Sequence, residues 1–595
     1  VTSNTRIADV ARRVFGWPHL RPGQETAIAS VVDGGDVLAV MPTGYGKSAI
    51  YQIAGHLLDG PTVVVSPLIS LQADQIQHIA ESTGDSEAVA VNSSQSASAN
   101  RRAWRAVESG EAEFVFLAPE QLARDEIVDD LRELGVTLFV VDEAHCVSSW
   151  GHDFRPDYLR LGGVIERLGR PRILALTATG SKPVRDEIVE RLGMREPRVL
   201  VHGFDRPNVH LAVVRHESEH EKERAVREQV AALPKPGLLY VATRADTERF
   251  AEELARTEPA ERGADRNTER GTEQRPDQFA RNERGERGER GERGTHRGTR
   301  LRTAAYHGGL RAAERREVHE RFHADEVDVV VATSAFGMGI DKPNVRFVVH
   351  ADITDSIDSY YQEVGRGGRD GEPATATLHY RQEDLGLRKF FAGGHPDPER
   401  VRAVVRALSP KGRRMPVSEL SDATELPARA AENIANLLIE AGVADENEEG
   451  IALSRRISQA TAVDAVHDAA DTRRRIEESR LAMIRAYAET LGCRRQFLLA
   501  YFGDDLAEPC GNCDTCESGT AYEREAARSG AGAGGAVADA AGTFAEGQAV
   551  RHSLWGDGSV VSLEEDRVTV FFDGEGYKVL SLAAVEENDL LEPIA

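Results

Sequence analysis

Between a β-like run (Asp36 to Val40) and a helix-like run (Ser48 to Leu58) stands Met41-Pro42-Thr43-Gly44-Tyr45-Gly46-Lys47-Ser48. Strand, glycine turn, Lys-Ser and helix are the layout of a phosphate cradle. The glycines let backbone N–H groups close on an anion, and the helix N-terminus adds positive potential. Thr43, Gly44 and Gly46 would line such a loop, Lys47 would reach the β- and γ-phosphates, and Ser48 would offer a hydroxyl to Mg²⁺. The strict pattern asks for glycine at position 41, where this chain has Met.

A second constellation follows a buried-looking strand: Leu138-Phe139-Val140-Val141 runs directly into Asp142-Glu143-Ala144-His145. An acidic pair at a strand's C-terminal edge suits the handling of Mg²⁺ and water. Asp142 would hold the ion, and Glu143 would orient and deprotonate an attacking water. A polar strand end that caps the next helix is the plainer alternative. Far downstream, Gln362-Glu363-Val364-Gly365-Arg366-Gly367-Gly368-Arg369 carries two arginines whose spacing predicts one shared helical face. Phosphoanhydride cleavage between two lobes needs a cation from the far side; Arg369 is the expected finger, with Arg366 in support. Taken alone, such a pair would be a solvated surface.

The third constellation is Cys493, then sixteen residues, then Cys510-x-x-Cys513-x-x-Cys516. Four thiolates at this spacing can close tetrahedrally on Zn²⁺, with an Fe–S cluster as the competing reading. A helix over about Arg473–Thr490 would present Cys493, and Pro509-Cys510-Gly511-Asn512-Cys513 would make the tight turn. Only five cysteines occur, and four lie here, which fits a metal better than a disulfide framework. The fifth, Cys146, reads as a packed thiol.

What positions these groups is an α/β chain too long for one core: 595 residues predict three to five domains. Short apolar runs at Val37–Val40, Thr62–Val65, Phe114–Leu117, Thr137–Val141 and Ile173–Leu176 alternate with helical stretches. That pattern predicts a parallel sheet covered on both faces, over residues 1–205. It restarts at Gly237–Val241, Thr303–Tyr306, Val327–Val331, Val345–Val349 and Ala374–Tyr380, giving a second lobe over 206–385. Within it, Thr257 to Arg300 has almost no apolar side chains and reads as a disordered insertion (257–300). An Arg-Gly tail that brushes nucleic acid is the alternative, weakened by its glutamates.

Helices at Glu399–Leu408, Pro416–Thr424 and Ala428–Ala441, then a Gly/Glu-rich turn and a strand at Ile451–Leu453, give the order of a winged helix (386–465). A small helical zinc module is expected over 466–518, and an Ala/Gly-rich linker over 519–543. Alternating strands over 544–595, broken by Gly556-Asp557-Gly558 and Asp573-Gly574, predict an SH3- or Tudor-type β-barrel.

Composition narrows the role. The chain is 41% apolar with a formal net charge of −25, which argues against a protein that merely coats nucleic acid. Binding to DNA would use local basic and aromatic groups and would weaken sharply with salt. Arginine dominates the cations, only eight being Lys. No run of 18 apolar residues occurs and no export signal is evident, so a soluble chain without membrane contact is expected.

Taken in order, these elements resemble a RecQ-family DNA helicase of superfamily 2. Arg21-Pro22-Gly23-Gln24 resembles the family's adenine-reading element, which implies base contact through Gln24. Val63 to Leu71 and Ala118-Pro119-Glu120 resemble its DNA-contacting loops. Thr177-Ala178-Thr179 resembles the element that links hydrolysis to lobe movement, and Thr333 to Lys342 its counterpart in the second lobe. Ser148-Ser149-Trp150-Gly151-His152-Asp153-Phe154-Arg155-Pro156 resembles the aromatic-rich loop of RecQ proteins. Trp150, His152, Phe154 and Arg155 would sense an unpaired base and report it to Glu143 and His145; base–aromatic stacking is worth about 1–3 kcal/mol per base. Packing between lobes is the plainer role for Trp150 and Phe154. The Cys493 to Cys516 block resembles the RecQ zinc subdomain.

The resemblance implies two tandem RecA-like lobes, ATP, Mg²⁺ and Zn²⁺ as cofactors, and 3′-to-5′ unwinding of tailed or forked DNA in recombination and repair. It also implies a cytoplasmic, nucleoid-associated setting. A translocase without processive unwinding, an RNA helicase and a non-enzymatic scaffold are the rivals. Departures are visible too. The winged-helix-like segment precedes the cysteines, and its acidic tip (Ala444 to Gly450) lacks an aromatic wedge, so no strand-splitting pin is assigned. The tail, from Gly547 through Trp555-Gly556-Asp557-Gly558, resembles the Tudor-like tail of UvrD/PcrA helicases, which implies a docking site for a protein partner, with a purely structural cap as the alternative.

Overall fold

The computed structural model describes residues 3–67, 69–83, 88–92, 95–148, 155–256, 300–337, 342–386, 395–409, 414–447, 450–454, 457–504, 506–530, 544–545, 547–563, 567–572, 575–587 and 590–594. Strands β1 (Val37–Val40), β2 (Thr62–Val65), β3 (Ala88–Val91), β4 (Phe114–Leu117), β5 (Leu138–Val141), β6 (Arg172–Thr177) and β7 (Arg198–Val201) form one sheet. Their order is β3-β4-β2-β5-β6-β1-β7, and every pairing is parallel. Strands β1, β2, β4 and β5 are buried at every position, as strands covered on both faces must be. Because β5, β6 and β1 are neighbours running the same way, Asp142, Thr177 and Met41 emerge side by side at one edge.

The second sheet comprises β8 (Val209–Arg215), β9 (Gly237–Tyr240), β10 (Thr303–Tyr306), β11 (Val329–Ala332), β12 (Phe347–His350) and β13 (Ala374–Tyr380). It too is wholly parallel, in the order β10-β11-β9-β12-β13-β8. Three strands absent from the sequence expectation, β3, β7 and β8, are all sheet edges. An edge strand needs no continuous apolar run: β7 buries only Leu200. The expected insertion lies, but for Arg300, outside the described residues.

Three helices (Pro398–Leu408, Val417–Thr424, Ala428–Glu440) and an antiparallel hairpin, β14 (Ala444–Asn447) with β15 (Gly450–Leu453), share a separate apolar core. The expected Gly/Glu-rich turn is therefore in part a strand. Helix Gln459–Glu489 corrects a further expectation. It is one continuous 31-residue element, so the division expected at 465/466 falls inside it. Its first half buries Ala462, Val463 and Val466 in that core. Its second half buries Met483, Ile484 and Tyr487 with the cysteine-bearing segment and the lobes.

Helix Thr520–Gly530 occupies ground expected to be linker. Its alanines favour helix, and Ala521 is buried against the four-cysteine unit. Residues 531–543 lie outside the described residues. The chain ends in a five-stranded antiparallel sheet: β16 (Ala549–His552), β17 (Gly556–Leu563), β18 (Arg567–Phe572), β19 (Gly576–Ser581) and β20 (Leu591–Pro593), ordered β19-β18-β17-β16-β20. No described helix is long and apolar enough to cross a membrane.

Candidate nucleotide cleft and zinc centre

The phosphate loop leaves β1 and enters helix Ser48–Leu57 through two glycines with positive φ, 78° at Gly44 and 83° at Gly46. A side chain at Gly46 would lie 2.9 Å from Gln24 Nε2, so the loop closes only without one. Gln24 is buried, and its amide donates to the carbonyls of Tyr45 (3.1 Å) and Gly46 (2.9 Å). Arg21 donates to the Gly44 carbonyl at 2.6 Å, and its own N–H is held by Gln24 Oε1 at 2.7 Å. The element expected to read adenine is thus tied to the phosphate loop. Thr43 lies on the same loop, and Ser48 is the first residue of the helix.

Lys47 Nζ donates to the Met41 carbonyl at 2.9 Å. Burial pulls its pKa down, while Glu143 and Asp142 oppose that shift and Arg369 adds to it. The acidic pair therefore faces the lysine. Asp142 Oδ1 accepts from the Glu143 N–H at 3.0 Å, and its pKa is pushed up to about 7 by burial and by Glu143. Two adjacent carboxylates, Glu143 buried and Asp142 half-buried, beside one lysine leave uncompensated negative charge, the environment a divalent cation relieves. On that ground Asp142 fits Mg²⁺, and Ser48 stands at the start of the helix that follows Lys47.

Glu143 itself has φ 49°, a left-handed backbone worth about 1–3 kcal/mol of strain in a residue with a side chain. That turn delivers its carboxylate to His145 Nδ1 at 3.3 Å, and the same nitrogen lies 3.1 Å from Thr177 Oγ1. His145 is fully buried, and Cys146 and Glu143 raise its pKa well above the usual range although burial opposes them. Thr177 Oγ1 donates in turn to the Thr179 carbonyl at 2.6 Å. The acidic box and the Thr177-Ala178-Thr179 loop are one hydrogen-bonded unit.

The arginine pair departs from expectation. The helix ends at Val364, so Arg366 and Arg369 stand in the turn beyond it, not on one helical face. Glycines end the helix: Gly368 has φ 58°, and a Cβ there would meet Asn208 Nδ2 at 2.5 Å. Arg366 consequently points inward, buried beside Tyr240 and Gly337. Arg369 reaches across to the first lobe, its Cδ and Nε 3.4 Å from the position a Cβ would take on Gly44. Arg206, which sequence reasoning missed, holds this turn by donating to the carbonyls of Gly365, Gly367 and Gly368 at 3.1, 2.7 and 3.1 Å. Nothing about its spacing signals that role.

Trp150, His152 and Phe154 lie outside the described residues. Arg155 follows the box, its N–H bonded to the Cys146 carbonyl at 3.0 Å and its guanidinium to the Pro67 carbonyl at 3.2 Å.

The thiols of Cys493, Cys510, Cys513 and Cys516 all lie within 4.8 Å of one another. A tetrahedral Zn²⁺ with Zn–S of about 2.3 Å spreads its sulfurs about 3.8 Å apart, so the set fits the ion. Backbone N–H groups of Cys510 and Asn512 donate to the sulfurs of Cys493 (3.3 Å) and Cys510 (3.4 Å), as thiolate acceptors require. Cys146 sits elsewhere, buried in the first lobe. The cysteine unit docks on β8: Cys513 bridges Leu211, Asp514 accepts from the Val213 N–H at 2.9 Å, and Arg495 donates to the Val209 carbonyl at 2.7 Å.

Comparison with known proteins agrees with this geometry. Residues 21–187 match the DEAD/DEAH box helicase family, 290–371 the helicase conserved C-terminal domain, and 451–517 the RecQ zinc-binding family. The probable ATP-dependent DNA helicase RecS of Bacillus subtilis is 30% identical over 86% of this chain and 91% of its own length. The ATP-dependent DNA helicase RecQ of Pasteurella multocida is 32% identical over 85% of this chain, which spans 62% of that relative. Among solved structures, the DNA-bound helicase MrfA aligns with a TM-score of 0.49 at 17% identity, covering 77% of this chain and 63% of that one. A phosphate loop, an acidic box and a four-cysteine unit, matched in this order and along nearly the whole of a relative, mean that the chain belongs to the RecQ family of ATP-dependent DNA helicases.

Proposed function

We propose that this chain hydrolyses ATP between its two lobes to move 3′ to 5′ along one DNA strand and unwind duplex DNA in recombination and repair, in a cytoplasmic, nucleoid-associated setting. The observation that carries this reading is Arg369 of the second lobe lying against Gly44 of the first. In this reading Arg21 and Gln24 engage the base side of the nucleotide. Thr43, Gly44 and Gly46 wrap the phosphates, Lys47 neutralises the β- and γ-phosphates, and Glu143 orients and deprotonates the water. Mg²⁺, held by Ser48 and Asp142, would neutralise phosphate charge as cleavage proceeds. Arg369 reaches the γ-phosphate only while the lobes are closed, Arg366 supports it from within the second lobe, and the pair thus couples hydrolysis to lobe position. His145 passes that change to Thr177, and Trp150, His152, Phe154 and Arg155 sense unpaired DNA.

The finer architecture belongs to the same proposal. Helices 398–440 with the β14–β15 hairpin are read as a winged helix, and the C-terminal sheet as an SH3/Tudor-like fold. Leu554, 83% exposed on the β16–β17 turn, offers that fold an apolar tip for a protein partner.

ATP turnover is expected to rise when single-stranded DNA is added, and forked or tailed duplexes to be separated. Turnover indifferent to DNA would remove this reading, whereas stimulation without strand displacement would favour a translocase. Lys47→Ala removes the lysine that faces the acidic pair, and turnover should fall about 10²–10³-fold, the scale of one lost electrostatic donor. DNA binding, measured by fluorescence anisotropy, should stay within twofold of the parent chain; near-normal hydrolysis would overturn the cradle assignment.

A further inference from the structure

Helix Ile357–Val364, which leads into the arginine turn, is gripped on two faces. Asp358 and Tyr361, three residues apart, share one face. Asp358 is buried and accepts from the Tyr501 hydroxyl at 2.6 Å. The Tyr361 ring lies 4.8 Å from that of Phe502, and its hydroxyl donates to the Phe204 carbonyl at 2.6 Å. Tyr360 and Glu363 share the adjoining face. Glu363 lies 2.7 Å from His350 Nε2, on β12, and the Tyr360 hydroxyl lies 3.2 Å from that of Tyr487.

Tyr501 and Tyr487 both come from the segment that bears the cysteines. Tyr501 stands on helix Arg494–Phe502, which starts directly after Cys493, and Tyr487 stands near the end of helix Gln459–Glu489. Arg494 locks these two helices together. Its guanidinium donates to the Tyr487 carbonyl and to Asp514 Oδ1, each at 2.7 Å. Asp514, next to Cys513, is the residue that accepts from the Val213 N–H on β8. Both tyrosines therefore sit on one frame fixed to the edge of the second sheet. A buried tyrosine hydroxyl needs a partner, and these two find theirs on the same eight-residue helix.

We propose that Tyr501 and Tyr487 are positioning residues, which fix the rotation of helix Ile357–Val364 and so the place of Arg369 at the nucleotide cleft. The proposal rests on the arginine-finger reading of the preceding section. Arg206 ties the turn into one piece through the carbonyls of Gly365, Gly367 and Gly368, so a rotation of the helix carries turn and finger with it. Ring packing alone tolerates such a rotation. Hydrogen bonds resist it, because they weaken steeply away from their preferred angle. The frame that holds the cysteines thus sets the geometry of hydrolysis as well as covering β8.

The test uses the full chain and makes Tyr501→Phe, which keeps the ring and loses the hydroxyl, in the parent and in an Arg369→Ala background. Single-turnover ATP hydrolysis is read on saturating single-stranded DNA, with zinc content and thermal unfolding as fold controls. In the parent background Tyr501→Phe should lower kcat about tenfold, within the hundredfold that an ångström of misplacement costs. Its KM for ATP should stay within about twofold, since an interaction felt only in the transition state leaves KM alone. In the Arg369→Ala background the same change should cost nothing further, because its effect runs through the missing side chain. A folded Tyr501→Phe chain with parental kcat, a loss carried by KM, or an equal loss in both backgrounds overturns the proposal. If Tyr501→Phe does not fold, Tyr487→Phe takes its place and is judged by the same three results. Failure of the finger reading is seen separately, as an Arg369→Ala chain that hydrolyses ATP at near the parental rate.

Discussion

Arg369→Ala is expected to lower ATP turnover by about 10³–10⁵, the worth of an arginine that stabilises transferring phosphoryl charge. The side chain is placed for that task by the turn alone. Gly365 ends the preceding helix, Gly368 adopts φ 58°, and Arg206 grips the carbonyls of Gly365, Gly367 and Gly368. Its guanidinium stem then packs over Gly44, on the loop that Lys47 terminates. Nucleotide binding should change little, because Lys47, Ser48 and the loop backbone are untouched. A fluorescent ATP analogue reads binding, and single-turnover hydrolysis reads the chemistry. Arg369→Lys should recover only part of the loss, since an ammonium lacks the planar fork. A loss under tenfold for Arg369→Ala would move the finger's role to another residue.

Cys513→Ser should cost the chain its zinc and much of its soluble yield. Four sulfurs within 4.8 Å hold one another's negative charge only with a cation between them. Apparent binding energies for such structural sites are roughly 10–16 kcal/mol, which exceeds the stability of most domains. Cys513 is also the residue that bridges Leu211, so loosening it uncovers the β8 edge of the second lobe. An uncovered edge invites aggregation. Zinc content should drop from about one per chain to well below it, and the thermal transition should fall or broaden. Full zinc with an unchanged transition would remove these cysteines from the site.

Much of this was legible along the chain because the signals are local. The phosphate loop, the acidic box and the cysteine spacing each occupy a short stretch, and their backbone demands are met by residues next to them. The inner strands were equally plain, since burial on both faces writes a continuous apolar run, as in Leu138–Val141. Edge strands β3, β7 and β8 carried no such mark. The arginine turn misled because a three-residue spacing suits a helix, while Gly368 in the turn acts through contacts with Glu372 and with Asn208, the latter 160 positions away. The 31-residue helix at Gln459–Glu489 escaped for a related reason: its two halves face different cores, so no single apolar stripe runs its length.

By itself the sequence determined the chemistry available to this protein: which groups can bind phosphate, hold magnesium, activate water and ligate zinc. These depend on residue type and short spacing, which folding does not alter. Only the tertiary structure decided who meets whom. The approach of Arg369 to Gly44 and the grip of Arg206 on the arginine turn join residues far apart along the chain. Such meetings arise from strand order and domain docking, and a linear pattern carries no record of either.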